Sequence, residues 1–240
     1  MEAVNLVLIV DSQNAQDRRN MIRFIEDILK ERDYYEYGSL QWHNLNLEKA
    51  FILEDLKPSW TEKVAYFLKK DIEDIPCGFS KLNTLPKATI FEDKRSKLEY
   101  NNGYTRQIIP YCLVRCKDEY YFILRENNSE DRLNGNYGLL GGHTDRNIES
   151  GMYRELQEEA DINLDNIEKI NLVGTIKSYD TITDLDHIGL IYLIDLKHKK
   201  ISMQEMGIQK GMFVRQCDFW KYSSKFESWL KLVVQNLFNN

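Results

Sequence analysis

The stretch GGHTDRNIESGMYRELQEEADI, residues 141–162, decides the reading of this chain. Ile148, Met152, Leu156 and Ala160 recur at helical spacing, so the segment carries an apolar stripe along one side of a helix. Glu155, Glu158 and Glu159 occupy positions i, i+3 and i+4 of the same helix, and their carboxylates point the same way. Like charges at this spacing repel by a few tenths of a kcal/mol per pair in a solvated helix. A hard divalent cation among them turns repulsion into attraction, and carboxylate oxygens are the ligands that Mg²⁺ and Mn²⁺ prefer. Arg154 stands beside the cluster. Upstream, Gly141-Gly142 gives the backbone freedom where a strand hands over to the loop before the helix. An adjacent Glu pair on a helix is by itself an ordinary solvated face. The assembly around it makes the difference.

Working outward, IIPYCLVR (108–115), a Lys-Asp-Glu turn and YYFILRE (120–126) read as a hairpin. Asn134-Gly135-Asn136 is a turn signal, and YGLLGG (137–142) is a short strand ending in glycines. After the helix, NLVGTIKSYD (171–180) and HIGLIYLIDL (187–196) are strand-like, FVRQC (213–217) is a shorter strand, and KFESWLKLVVQNLF (225–238) is an amphipathic terminal helix. Residues 76–106 read as irregular. The carboxy-terminal 165 residues are therefore expected to be α+β, mixed strands with two helices.

At the amino end, VNLVLIV (4–10) reads as a buried strand, followed by a helix through Met21, Ile22, Ile25, Ile28 and Leu29. Asp11 reads as a helix cap, since no Gly-rich phosphate loop follows that strand. Residues 46–56 and 60–71 are two more helical candidates. The turn at Ile75-Pro76-Cys77-Gly78 is the expected boundary, dividing an N-terminal α/β segment, 1–75, from a domain over 76–240. The first segment is expected to pack on the second or to mediate a homodimer.

With this assembly in place, residues 141–162 resemble the signature of the Nudix hydrolases, G-x5-E-x7-R-E-U-x-E-E-x-G-U, where U is a bulky apolar residue. Arg154, Glu155, Leu156, Glu158, Glu159 and Ile162 match in register. The resemblance extends over about residues 80–240. YTRQIIPY (104–111), LNGNYGLLGGH (133–143), DHIGLIY (186–192), GMFV (211–214) and FESWLKLVVQNL (226–237) are similar to a subgroup described as predicted phosphoesterases. The sequence departs from the signature in three ways. The interval from Gly142 to Arg154 is two residues short. Arg146 stands eight before Arg154, where the family has Glu, and the spacing argues against Glu149 taking its place. Asp161 replaces a Gly and is expected to serve as a left-handed cap.

The resemblance implies a mixed sheet between helices and Mg²⁺- or Mn²⁺-dependent hydrolysis of a diphosphate linkage in a nucleoside diphosphate derivative. It further implies that Glu158 and Glu159, with the Gly142 carbonyl, ligate metal. Glu155 then ligates a second ion or orients the attacking water, and Arg154 fixes a glutamate rotamer. His143 and His187 belong to the same resemblance and are expected to flank the pocket. Arg125 is a candidate phosphate contact, and Tyr179 and Tyr137 are candidates to stack on a base, with packing as the competing reading. Asp184 or Asp186, in the acidic loop before HIGLIY, is a further candidate ligand or base. His43 and His198 read as ordinary surface histidines.

Two other readings remain in play. One is a nucleotide-sensing module that binds without turnover, in keeping with Arg146 at the lost Glu position. The other is an enzyme resembling isopentenyl diphosphate isomerase, which shares the fold and would require a catalytic Cys and Glu.

The rest of the chain narrows partners. Its 240 residues carry 32 Lys and Arg against 38 Asp and Glu, a net charge of −6, without the basic excess that nucleic-acid binding needs. No apolar run reaches the roughly 20 residues that span a bilayer, and no secretory signal is seen, so a cytoplasmic protein is expected. Cys112 and Cys116 lack the further ligands of a zinc site and share one strand face, so free thiols are expected throughout.

Overall fold

The computed structural model describes residues 15–101, 103–125, 133–202 and 208–238. The strand expected at 4–10 and Asp11 lie outside the described residues. The helix expected after them is α1, Ala15–Arg32, and α2 spans Leu40–Leu56, capped by the Ser39 hydroxyl, which accepts from the Trp42 N–H at 3.2 Å.

The helix expected at 60–71 is not there. Its centre is strand β1, Lys63–Leu68, flanked by single 3-10 turns. Val64, Ala65 and Phe67 are fully buried because β1 pairs antiparallel on both sides, with β3 (Phe91–Lys94) and with the start of β4 (Thr105–Cys116). A short apolar run of β-branched and aromatic residues fits either period, and sheet pairing decides it. The sheet thus crosses the boundary expected at residues 75–76. The stretch 76–106 is likewise not irregular throughout. It holds β2 (Gly78–Lys81), β3 and the one-turn α3 (Arg95–Leu98), elements too short and polar to show a period.

Strand β4 is the axis of the molecule. It runs parallel to β9 (His187–Leu196) along one edge. Its other edge is shared in turn by β1, by β7 (Leu140–Gly141) and by β5 (Glu119–Arg125). Pro110, which cannot donate to a ladder, sits between the β1 and β7 pairings. There the Gly141 α-carbon packs against the Pro110 carbonyl so closely that no side chain fits, and Gly141 takes φ +150°. The order continues from β5 to β10 (Ile208–Arg215) on one side and from β9 to β8 (Ile167–Lys177) and β2 on the other. A two-residue strand, β6 (Tyr137–Gly138), pairs with β5.

Side chains alternate across the sheet, so β4 and β5 feed two cores. Cys112, Val114, Tyr121 and Ile123 face helix α4 (Ile148–Ala160) through Met152, Leu156 and Ala160. Tyr111, Leu113, Tyr120 and Phe122 face α6 (Ser228–Phe238) through Leu230, Val233 and Val234. Each fully buried Leu or Met contributes roughly 1.5–3 kcal/mol, and these two stripes fix both helices on the sheet. The expected α+β architecture, a mixed sheet between helices, is the architecture observed.

All four cysteines are free thiols, Cys112 and Cys116 buried and Cys77 and Cys217 exposed. Burial pushes the Cys112 thiol far up, with the Glu159 and Glu155 carboxylates adding to it. Iodoacetamide is therefore expected to label the native protein at Cys77 and Cys217 alone, and Cys112 and Cys116 only after unfolding, read by intact and peptide mass spectrometry. Among the described residues no helix is long and apolar enough to cross a membrane.

Candidate functional site

Helix α4 begins at Asn147, whose side-chain oxygen accepts from the Ser150 N–H at 3.1 Å, and ends at Asp161 in the left-handed region, φ 51° and ψ 35°. The Asp161 N–H donates to Gln157 and that of Ile162 reaches back to Leu156, closing the last turn. With the apolar stripe pressed on the sheet, Glu159 and Glu155 reach the Gly141-Gly142 strand end.

Their environments differ. Glu159 is 4% exposed, and its Oε2 accepts the Gly141 N–H at 2.8 Å. Burial raises the Tyr121 hydroxyl pKa to about 12, and the Glu159 carboxylate adds to the shift, which places the glutamate's charge beside that phenol. Glu155 packs its carboxylate against the Gly142 α-carbon with no room for a β-carbon between them. Glu158 stands in solvent, its side chain 58% exposed.

Arg154 ties the set together. Its Nη1 lies 2.8 Å from Glu155 Oε1 and 3.1 Å from Glu158 Oε2, and its Nη2 donates to the His143 carbonyl at 2.7 Å. Burial works against the guanidinium's charge, but the two carboxylates outweigh it and its pKa is raised. Already a cation sits between two of the three glutamates. Neither Arg146 nor Glu149 joins them. The Arg146 N–H donates to Glu92 Oε2 at 3.3 Å, and Glu149 accepts the Tyr153 hydroxyl at 2.8 Å on the exposed side.

His143 and His187, 44 residues apart in sequence, meet with their Nε2 atoms 3.1 Å apart. His187 Nδ1 lies 2.6 Å from the Thr183 carbonyl. A carbonyl only accepts, so Nδ1 carries a proton there and Nε2 is the ring nitrogen that faces His143. Burial holds His143 well below the ordinary histidine range, and Arg95, His187, Lys57 and Arg154 push it the same way. Glu99 completes this group: its ligating oxygen and the two imidazoles lie within 4.8 Å of one another. Burial works to raise the Glu99 pKa, but Arg95, His187 and Lys49 prevail and hold it below the usual carboxylate range. Sequence reasoning missed Glu99. It lies in the stretch read as irregular, and no local spacing links it to either histidine.

Arg125, Tyr179 and Tyr137 join neither group, and Asp186 borders Glu99 and His187. Arg125 is built into the α6 side, donating to the Leu139 carbonyl at 3.1 Å and facing Glu227 at 3.9 Å. Tyr179 is 46% exposed beneath the Arg106 guanidinium, which lies 4.6 Å from its ring centre. Tyr137 packs on Tyr222. The acidic loop contains a short helix, α5 (Ile182–Asp186), with two buried carboxylates, of which Asp184 leaves its Oδ2 without a hydrogen-bond partner. Asp184 accepts the Trp229 indole N–H at 2.9 Å, and Asp186 accepts the N–H groups of Asn101 and Gly103. Cys112, whose thiol feels the Glu159 and Glu155 carboxylates, is fully buried, unlike the solvent-reachable catalytic Cys that the isomerase reading requires.

No protein-family model matches the sequence, and no curated protein is similar to it. Solved structures are similar. Tm1382, a candidate Nudix hydrolase, is 21% identical and superposes with a TM-score of 0.62 over 74% of this chain and 99% of its own. The bifunctional NMN adenylyltransferase/ADP-ribose pyrophosphatase of Francisella tularensis, complexed with AMP and a Mn ion, is 15% identical with a TM-score of 0.45, over 56% of this chain and 42% of its own. The NUDIX domain of Shewanella oneidensis NrtR, complexed with ADP ribose, is 15% identical with a TM-score of 0.44, over 54% and 85%.

Proposed function

We propose, from the premise that this chain has the Nudix fold, that it hydrolyses a diphosphate linkage in a nucleoside diphosphate derivative with the help of Mg²⁺ or Mn²⁺. The observation that carries the reading is that Glu159 and Glu155 reach Gly141 and Gly142 from α4, with Arg154 bound to the Glu155 and Glu158 carboxylates and to the His143 carbonyl. The donors suit a hard divalent cation: carboxylate oxygens in an anionic field already strong enough to hold the Arg154 guanidinium. Glu158, Glu159 and the Gly142 carbonyl would hold the ion, with Glu155 alongside. When bound, the metal neutralises the bridging phosphate oxygens and lowers the pKa of water.

The chain's own groups do the rest. Arg154 fixes the rotamers of Glu155 and Glu158 and pins the loop at His143. Glu155, partly shielded against Gly142, would ligate a second ion or orient an attacking water. Glu159 is held by the Gly141 N–H, so the carboxylate arrives pre-aimed. Gly142→Ala is expected to push the Glu155 carboxylate aside and to lower turnover between about ten- and 100-fold. Unchanged far-ultraviolet circular dichroism would confine that effect to the site.

The test is a turnover screen with the full chain and Mg²⁺ or Mn²⁺ against nucleoside triphosphates, ADP-ribose, NADH, dinucleoside polyphosphates and nucleotide sugars. Metal-dependent release of nucleoside monophosphate or phosphate is expected. Metal-dependent binding of one nucleotide without turnover would favour a sensor instead, a reading supported by Arg146 at the lost glutamate position and by Glu149 bonded away to Tyr153.

A further inference from the structure

We propose that Glu99, His143 and His187 form a binding site for a divalent transition-metal ion, Zn²⁺ foremost, distinct from the glutamates of α4. The three ligating atoms lie within 4.8 Å of one another, and the two imidazole Nε2 atoms are 3.1 Å apart. Ligand atoms each about 2 Å from a tetrahedral ion lie roughly 3.3 Å apart, so the histidines stand at almost the spacing that such an ion imposes. Two imidazoles and one carboxylate are a borderline donor set, suited to Zn²⁺, Co²⁺ or Ni²⁺ over Mg²⁺.

The surroundings have the form of a metal centre's outer shell. His187 donates Nδ1–H to the Thr183 carbonyl, which orients the ring so that Nε2, facing His143, is the atom left to serve as a ligand. One Glu99 oxygen is steered by Arg95 Nε at 2.7 Å, and the Glu99 carbonyl accepts Lys49 Nζ at 2.6 Å. The His143 carbonyl is held by Arg154. Glu99 and His187 are buried, and the three residues come from the end of α3, the loop after β7 and the first position of β9. An ion there joins three segments that the chain keeps far apart, and three protein ligands leave a fourth position for water or a substrate oxygen.

The experiment titrates the full-length protein with Zn²⁺ and follows the histidine side chains by ¹⁵N NMR. The sequence has four histidines, so His43 and His198 serve as internal references. The proposal expects one equivalent of Zn²⁺ to shift the Nε2 resonances of His143 and His187 alone, with Co²⁺ giving the intense visible band of a low-coordinate nitrogen-ligated ion. Glu99→Gln and His187→Asn are expected to weaken Zn²⁺ binding at least roughly 100-fold, whereas Glu155→Gln with Glu159→Gln leaves it intact. Unshifted His143 and His187 resonances in the wild-type protein would overturn the proposal without recourse to any variant. So would Zn²⁺ binding that disappears with the α4 glutamates and survives in Glu99→Gln.

Discussion

Glu159→Gln is expected to lower metal-dependent turnover at least about 100-fold while the protein remains folded. The two halves of that expectation have separate causes. Glu159 Oε2 accepts the Gly141 N–H at 2.8 Å, and an amide oxygen can accept the same bond, so the junction between α4 and β7 survives. The charge does not survive. Glu159 is the most deeply set of the three carboxylates, beside Tyr121 and Cys112, where an anion interacts more strongly with a cation than in water. Steady-state turnover on the substrate found by the screen, with a melting curve alongside, checks both halves. A variant as active as the parent would remove Glu159 from the metal assignment.

Arg32→Ala is expected to destabilise the protein by about 3–5 kcal/mol, because it deletes the cation from a buried network and leaves its acceptors unpaired. Arg32 is fully buried at the end of α1. It donates to Asn46 on α2 at 3.1 Å, to the Tyr100 carbonyl at 2.7 Å, to Asn101 at 3.4 Å and to Asp33 at 2.9 Å. Trp42 lies under its guanidinium, 5.4 Å to the ring centre. Part of the loss is returned by Lys49, equally buried, whose charge is opposed first by burial and then by Arg32 itself. At roughly 2–4 °C per kcal/mol for a chain of this size, the melting temperature should fall by about 10 °C. Arg32→Lys should recover only part, since an ammonium cannot reach these acceptors as a planar fork does. Melting within about 2 °C of the parent would mean that other contacts hold α1 and α2 on the sheet.

Periodic segments were legible in the sequence. The stripe of Ile148, Met152, Leu156 and Ala160 placed α4, and Asp161 takes the left-handed cap expected of it. The runs that became β4, β5 and β9 are apolar because the sheet buries both of their faces along most of their length. Residues 63–68 were misread because six residues cannot separate a period of 3.6 from a period of 2, and only the pairings with β3 and β4 settle the matter. Strands β2 and β3 carry no period at all, being short edge pieces whose partners are distant in sequence.

The site divides the same way. The α4 glutamates are local to one helix, so their shared side of it could be read from spacing. The meeting of Glu99 with His143 and His187 depends on where three separate segments enter the sheet, and no interval in the sequence encodes it. Arg125 looked like a phosphate contact because it ends a strand, and Asp184 and Asp186 looked like ligands because the resemblance points to their acidic loop. In the fold, neighbouring backbone and side-chain groups occupy them.

The central claim is that the carboxylates of α4 hold a divalent ion. Titration of the full chain with Mn²⁺, read by the electron paramagnetic resonance of the free ion, tests it most directly. Glu155→Gln with Glu159→Gln is compared with His143→Ala with His187→Ala and with the parent. The account predicts that the glutamate substitutions abolish a Mn²⁺ site which the histidine substitutions leave in place. Equal Mn²⁺ binding by the parent and the glutamate variant would contradict it.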